Sequence, residues 1–214
     1  MRTLGVLCAA LVAAWLVHGP ARAAEEAKPY KLRGTLVEVN DQRVTVLNDD
    51  EETSEVALTK DTRVIAATPA KLSDIKPGSF VGITSVASDN QRVALEVHIF
   101  AEDMRGTGEG HYAWDLIKDP NMMTNATVAE IKEVSPAERQ LRLTYKEGEG
   151  DKATQGEQFI TVPDFVDIVF LSKSTDPGLI APDRRAFLLV KDVEQGPPAA
   201  VAIVVGTEGA TPPM

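Results

Sequence analysis

From residue 30 onward the sequence breaks into short runs in which apolar and polar residues alternate, each closed by a turn-forming cluster. A period of two belongs to strands with one buried face. Residues 32–39 and 43–47 flank Asn40-Asp41-Gln42 and read as a hairpin; the acidic residues 48–53 form a turn, and 55–59 a third strand. Residues 72–78 read as a single helical or 3-10 turn stopped by Pro77-Gly78, and residues 79–85 and 92–100 bring the strands to five. Five short strands with one helical turn before the fourth point to a compact Greek-key barrel of the OB type.

The same order recurs. Residues 126–131 repeat the rhythm of 34–39, 141–145 follow a Ser135-Pro136 turn, and 159–162 resemble the third strand. Residues 180–183 take the place of 75–78, then 186–191 and 200–205 close the set, while the loop 146–156 is longer than its counterpart. Internal duplication explains this order. The expected architecture is all-β, with two tandem small five-stranded OB-like Greek-key barrels at residues 30–101 and 125–206. A Gly/aromatic segment, residues 102–124, joins them, with a flexible leader at 24–29 and a flexible tail at 207–214. One larger all-β domain built from the same strands is the alternative. Each half is near the lower limit of independent stability, so packing the halves together helps both. Along residues 92–100, alternation assigns Val93, Leu95, Val97 and Ile99 to the core face, and Ala94, Glu96, His98 and Phe100 to the opposite one.

Residues 1–23 read as a cleavable signal peptide: Arg2 supplies the positive start, residues 4–17 the apolar stretch, and Ala21-Arg22-Ala23 the small-x-small site. The expected location is the bacterial periplasm. Cleavage removes Cys8, the only cysteine, and with it disulfide, thiolate-metal and cysteine-nucleophile chemistry. It also removes Arg2 and Arg22, leaving the chain two charges more acidic than the −10 of the whole. Beyond residue 23 no apolar run approaches the roughly 20 residues of a membrane helix. The acidic field and scarce aromatics exclude nucleic acid as a partner.

Residues 102–124 concentrate the rarest side chains: Trp114, Tyr112, His111, Met104, Met122 and Met123, with His98 just upstream. Two readings of this segment compete. In one, Gly106, Gly108 and Gly110 are hinge positions, Tyr112 and Trp114 anchor the segment between the barrels, and Arg105 pairs with a carboxylate. These six residues then form the interdomain or binding surface. In the other, Glu109, His111 and Asp115, with His98, are ligands for copper or zinc, and the methionines are thioether donors suited to copper. Gly106–Gly110 lacks the Lys and Ser/Thr of a P-loop and the strand-helix context of a dinucleotide site. No nucleophile elbow or oxyanion-hole motif is present, and the Asp49-Asp50 and Glu51-Glu52 pairs sit in a solvated turn. No catalytic residue is assigned, and the chain is read as not an enzyme.

The block Met104-Arg105-Gly106-Thr107-Gly108-Glu109-Gly110-His111, followed by Trp114-Asp115 and by residues 123–128, resembles an uncharacterised family of exported proteobacterial proteins. The resemblance covers most of the mature chain. It implies a signal peptide, a small OB-like barrel before the block, and a second β-rich stretch after it. The expected function is a non-catalytic periplasmic binding or envelope-accessory protein whose partner is a periplasmic protein or a small ligand. The alternative is a transition-metal-binding or metal-transport accessory protein.

Overall fold

The computed structural model describes residues 28–148, 150 and 153–212. The signal peptide and most of the leader expected from the sequence lie outside these residues. The described residues form strands β1 (Tyr30–Asn40), β2 (Arg43–Leu47), β3 (Thr53–Ala57), β4 (Arg63–Pro69), β5 (Phe80–Ser88), β6 (Gln91–Phe100) and β7 (Gly110–Trp114). They continue with β8 (Asn121–Ser135), β9 (Glu138–Glu147), β10 (Thr154–Pro163), β11 (Asp167–Lys173), β12 (Arg185–Lys191) and β13 (Ala199–Gly206). Short 3-10 turns lie at Leu72–Asp74 and Glu102–Met104. Among the described residues no helix is long and apolar enough to cross a membrane. The chain is all-β, in one large mixed sheet.

Strand pairing runs through two closed circuits. β1, β2, β3, β13 and β12 form one, closed by a parallel contact of Ala199 with Ala57 and by the antiparallel β1–β12 ladder. β8, β9, β10, β6 and β5 form the other, closed by the parallel β10–β6 pair and the antiparallel β5–β8 ladder. β4 and β11 lie between them, antiparallel to each other, with β4 parallel to β13 and β11 parallel to β6. The tandem order expected from the sequence is therefore corrected to an interlocked one. Each circuit takes three strands from one half of the chain and two from the other. The cause is β4 and β11, which the sequence reading did not identify as strands. They carry the chain across the molecule, so that β5–β6 and β12–β13 each complete the other half's circuit.

Three apolar clusters follow from this arrangement. Leu36, Val44, Val46, Val56, Leu188 and Ile203 fill the first circuit. Val81, Ile83, Val97, Leu141, Leu143 and Ile160 fill the second. Ile65, Phe80, Phe100, Leu171, Phe187 and Val204 form the third, on the outer face of the strands that join the circuits. β12 and β13 are thus buried on both faces, which is why Ala186-Phe187-Leu188-Leu189-Val190 and residues 202–205 are apolar without alternation.

The expected core face of β6 is corrected in the same way. Its register against β5 passes from Thr84 opposite Glu96 to Ser85 opposite Ala94, which leaves Leu95 as a bulge. Ala94 then joins Val97 and Ile99 in the second cluster, while Val93 and Leu95 are only half-buried. His98 and Phe100 are buried on the other face because the third cluster covers it. Past β13, the described part of the tail docks on β4 through Thr207, whose N–H and hydroxyl both donate to Ala67 O at 2.9 and 3.1 Å.

Candidate functional site

One row of residues crosses the outer face of the second circuit. Gly82 on β5 pairs with His98 on β6 to one side and with Asn125 on β8 to the other. A Cβ at Gly82 would fall inside 3.0 Å of both His98 Nε2 and Asn125 Oδ1, so the missing side chain is what lets these two groups converge. Asn125 Nδ2 faces Thr107 O at 3.2 Å, Gly108 O at 3.1 Å and the Tyr112 hydroxyl at 3.1 Å, and so holds the Gly-rich loop. That loop turns with Gly106 and Gly108 at φ 86° and 58°, a region most side chains avoid.

β7 continues the loop as an added strand on β8. The Tyr112 hydroxyl donates to Gly108 O at 3.2 Å, and the Trp114 ring lies edge-on to Tyr112. Lys31 Nζ stands 3.5 Å from the centre of the Trp114 ring and 2.9 Å from Asp115, which also accepts from Arg33 at 2.8 Å. These contacts tie the end of β7 to β1. Burial works to raise the Asp115 pKa, but the hydrogen bonds and charges of Lys31 and Arg33 outweigh it and hold the carboxyl below its ordinary value. Arg105 donates to the Glu102 carboxylate, to Gly78 O at 2.8 Å and to Thr127 Oγ1 at 3.3 Å, with its guanidinium over Phe80.

These elements border an open cavity of about 700 Å³ lined by strands of both circuits. Ile65, Leu171, Phe187, Leu189 and Val204 make one wall; His98, Phe100, Tyr112, Trp114, Met123 and Asn125 make the other. At its rim Lys173 pairs with Asp103 at 3.0 Å. Among the described residues, four buried side-chain atoms have no hydrogen-bond partner: His98 Nδ1 and Nε2, Trp114 Nε1 and Asn125 Oδ1. All four belong to residues of this wall. Each such atom costs about 1–3 kcal/mol while unmet.

The expected metal ligands do not gather here. Glu109 Oε1 accepts from the Lys146 N–H at 3.0 Å, and Asp115 is held by Lys31 and Arg33. His111 Nδ1 lies 2.8 Å from Thr124 Oγ1, with its ring near Tyr145. Adjacent strand residues point to opposite faces, so His111 lies across β7 from Tyr112 and the cavity that holds His98. Burial and then the Arg92 charge lower the His111 pKa, against the pull of Glu147. Among the described residues no three His, Cys, Asp or Glu side chains gather where they could hold a metal ion. Of the expected surface residues, Arg105, Gly108, Tyr112 and Trp114 line the cavity; Gly106 and Gly110 shape the loop beside it. Gly82, Asn125 and Phe187 were not foreseen as site residues, and Met123 only as a thioether donor. Gly82 within a strand and the unbroken apolar runs of β12 and β13 were the available signals.

His98 is fully buried, and burial lowers its pKa to about 4, the Asn125 side chain acting in the opposite sense. In the unfolded chain it takes up its proton near its ordinary value of 6.5. Between these values the unfolded state binds more protons, so stability is complete above the upper value and falls as pH drops toward the lower. The slope from this group approaches about 1.4 kcal/mol per pH unit. Denaturant unfolding measured from pH 7 to pH 4 is expected to show this fall, and His98→Leu to flatten it. An unchanged slope in that variant would remove His98 from the account.

Comparison with protein-family models, curated proteins and solved structures finds no match to this chain.

Proposed function

We propose that the chain is a non-catalytic binding protein of the bacterial envelope that holds a small, largely apolar molecule in the cavity between its circuits. The observation that carries this reading is the cavity itself: an open cleft of about 700 Å³ with apolar walls from strands of both circuits and polar side chains, Arg63 and Thr62 among them, in its lining. Cavities of this size, apolar with a few convergent polar groups, are the usual form of small-molecule sites. The closed circuits, each with one parallel closing pair, support a further assignment of OB-like Greek-key barrels. The ligand then sits between two barrels rather than inside either. The periplasmic assignment rests on residues 1–23.

Titration of the mature protein with an apolar fluorescent amine, 1-N-phenylnaphthylamine, tests the reading. One molecule should bind per chain and change the emission of Trp114. Ala202, which lines the cavity and is 7% exposed, offers a way to fill it. Ala202→Phe is expected to weaken the probe at least about tenfold, the loss of roughly 1.4 kcal/mol. Undiminished binding in that variant, or none in the parent, would refute the cavity as the site.

A second reading has one observation in its favour. His98, Met104 and Met123 are all buried in the same wall, and imidazole with thioethers is a donor set suited to Cu(I). In that case Cu(I) would displace the probe, and Met123→Leu would abolish the displacement.

A further inference from the structure

We infer that the molecule held in the cleft is a long-chain carboxylate with its head at Arg63, a conclusion that rests on the cleft being the binding site. Strand pairing sets out one wall in two rows. Lys31, Leu189, Ala202 and Arg63 stand side by side on β1, β12, β13 and β4, and Arg33, Phe187, Val204, Ile65 and Lys173 form the next row, which extends to β11. Paired residues share a face of the sheet, so an apolar strip is bounded by cations at both ends. Three strand spacings, about 14 Å in all, separate Lys31 from Arg63, room for an extended alkyl chain. Arg63 opens β4, is exposed, and lines the cleft with Thr62 and Thr175.

The other cations around this strip are engaged. Lys31 and Arg33 hold Asp115, Lys173 pairs with Asp103 at 3.0 Å, and Arg105 pairs with Glu102. Among the described residues the Arg63 side chain has neither an ion pair nor a hydrogen bond, and Asp103 is the one acid in the cleft lining. The free guanidinium fork matches both oxygens of a carboxylate. Because Arg63 is exposed, the head keeps part of its hydration, and the full cost of burying an ion does not arise. The apolar chain then lies along Ala202, Val204, Ile65 and Phe187. A cationic head finds less: Lys173 occupies Asp103, and Lys31 already covers the Trp114 ring. The protein as a whole carries a net charge of −10, but at physiological salt charges beyond about 8 Å are largely screened, so the nearest guanidinium decides.

Displacement of phenylnaphthylamine from the mature protein at pH 7 by decanoate, 1-decanol and decylammonium reads the head, because the apolar chain is constant. Decanoate is expected to act at about tenfold lower concentration than decylammonium, one ion being attracted and the other repelled at an exposed site. Arg63→Gln should weaken decanoate about fivefold, the upper end for an exposed ion pair, and leave 1-decanol unchanged. Arg63→Glu should reverse the order of the two ions. Lys132→Glu, the same charge change at an exposed position in the far part of β8, should leave that order as it is in the parent. No preference for decanoate over decylammonium in the parent, or a preference that Arg63→Glu does not reverse, overturns the head assignment and leaves the cavity reading standing. A reversal produced equally by Lys132→Glu overturns it too, since net charge would then be the cause. If phenylnaphthylamine itself does not bind, the cavity reading falls and this inference with it.

Discussion

Residues 24–101 and 102–214, produced separately, are expected to show no cooperative unfolding transition, and to recover one when mixed. The reason is the crossing of the chain between circuits. β1, β2 and β3 close only against β12 and β13, and β5 and β6 close only against β8 and β10. The second apolar cluster shows the cost of separation. Val81, Ile83, Val97 and Ile99 come from the first piece; Val128, Leu141, Leu143 and Ile160 come from the second. Each such side chain is worth about 1.5–3 kcal/mol when fully buried. Exposing one face of this cluster and of its counterpart exceeds the 5–15 kcal/mol that a folded domain has in hand. Denaturant titration of each piece and of the equimolar mixture, with size-exclusion chromatography, checks this. A cooperative monomeric transition in residues 24–101 alone, equal to that of the whole chain, would show that the crossed pairings are not needed.

Gly82→Ala should be a strongly damaging single methyl addition behind the cavity wall. The new Cβ would meet His98 Nε2 and Asn125 Oδ1 together. Neither is the loose end of a flexible chain. His98 is fully buried against Phe100, and Asn125 holds the Gly-rich loop and Tyr112 through its amide. Overpacking of this kind costs about 1–3 kcal/mol. Displacement of Asn125 would also release the loop, so ligand binding should fall further than stability does. The double variant Gly82→Ala with His98→Ala isolates the cause. Removing the ring vacates the space the methyl needs, and a coupling of about 1–3 kcal/mol is expected between the two sites. Additive effects would mean that the methyl does its damage elsewhere.

The strands visible in the sequence are those with one wet face. β1 and β2 alternate around a clear turn at Asn40-Asp41-Gln42, and β9 alternates Leu141, Leu143 and Tyr145 inward. β4 and β11 escaped because neither follows that pattern. β4 runs Val64-Ile65-Ala66-Ala67 before Pro69, and its residues face two different apolar clusters. β7 escaped because Gly106 and Gly108 precede it, Gly110 opens it, and its partner is β8 alone. Local periodicity also carries no information about which strands become neighbours. A tandem pair and an interlocked pair have the same alternation, and only the reach of β4 and β11 decides between them. At the site, the sequence drew notice to Tyr112, Trp114 and His98 through their rarity. Gly82 and Asn125, which make the convergence possible, are common residue types and signal little by themselves.

The crossed halves have a consequence for how the protein loses its fold. Strand for strand, β1–β6 and β8–β13 occupy equivalent places, and the antiparallel β4–β11 pair stands where a two-fold axis would pass between two subunits. The molecule has the contacts of a strand-exchanged dimer, with both subunits on one polypeptide. A true dimer of this kind would come apart on dilution, whereas the covalent link holds each half before the other at a fixed effective concentration. The unfolding midpoint is then independent of how many copies are present.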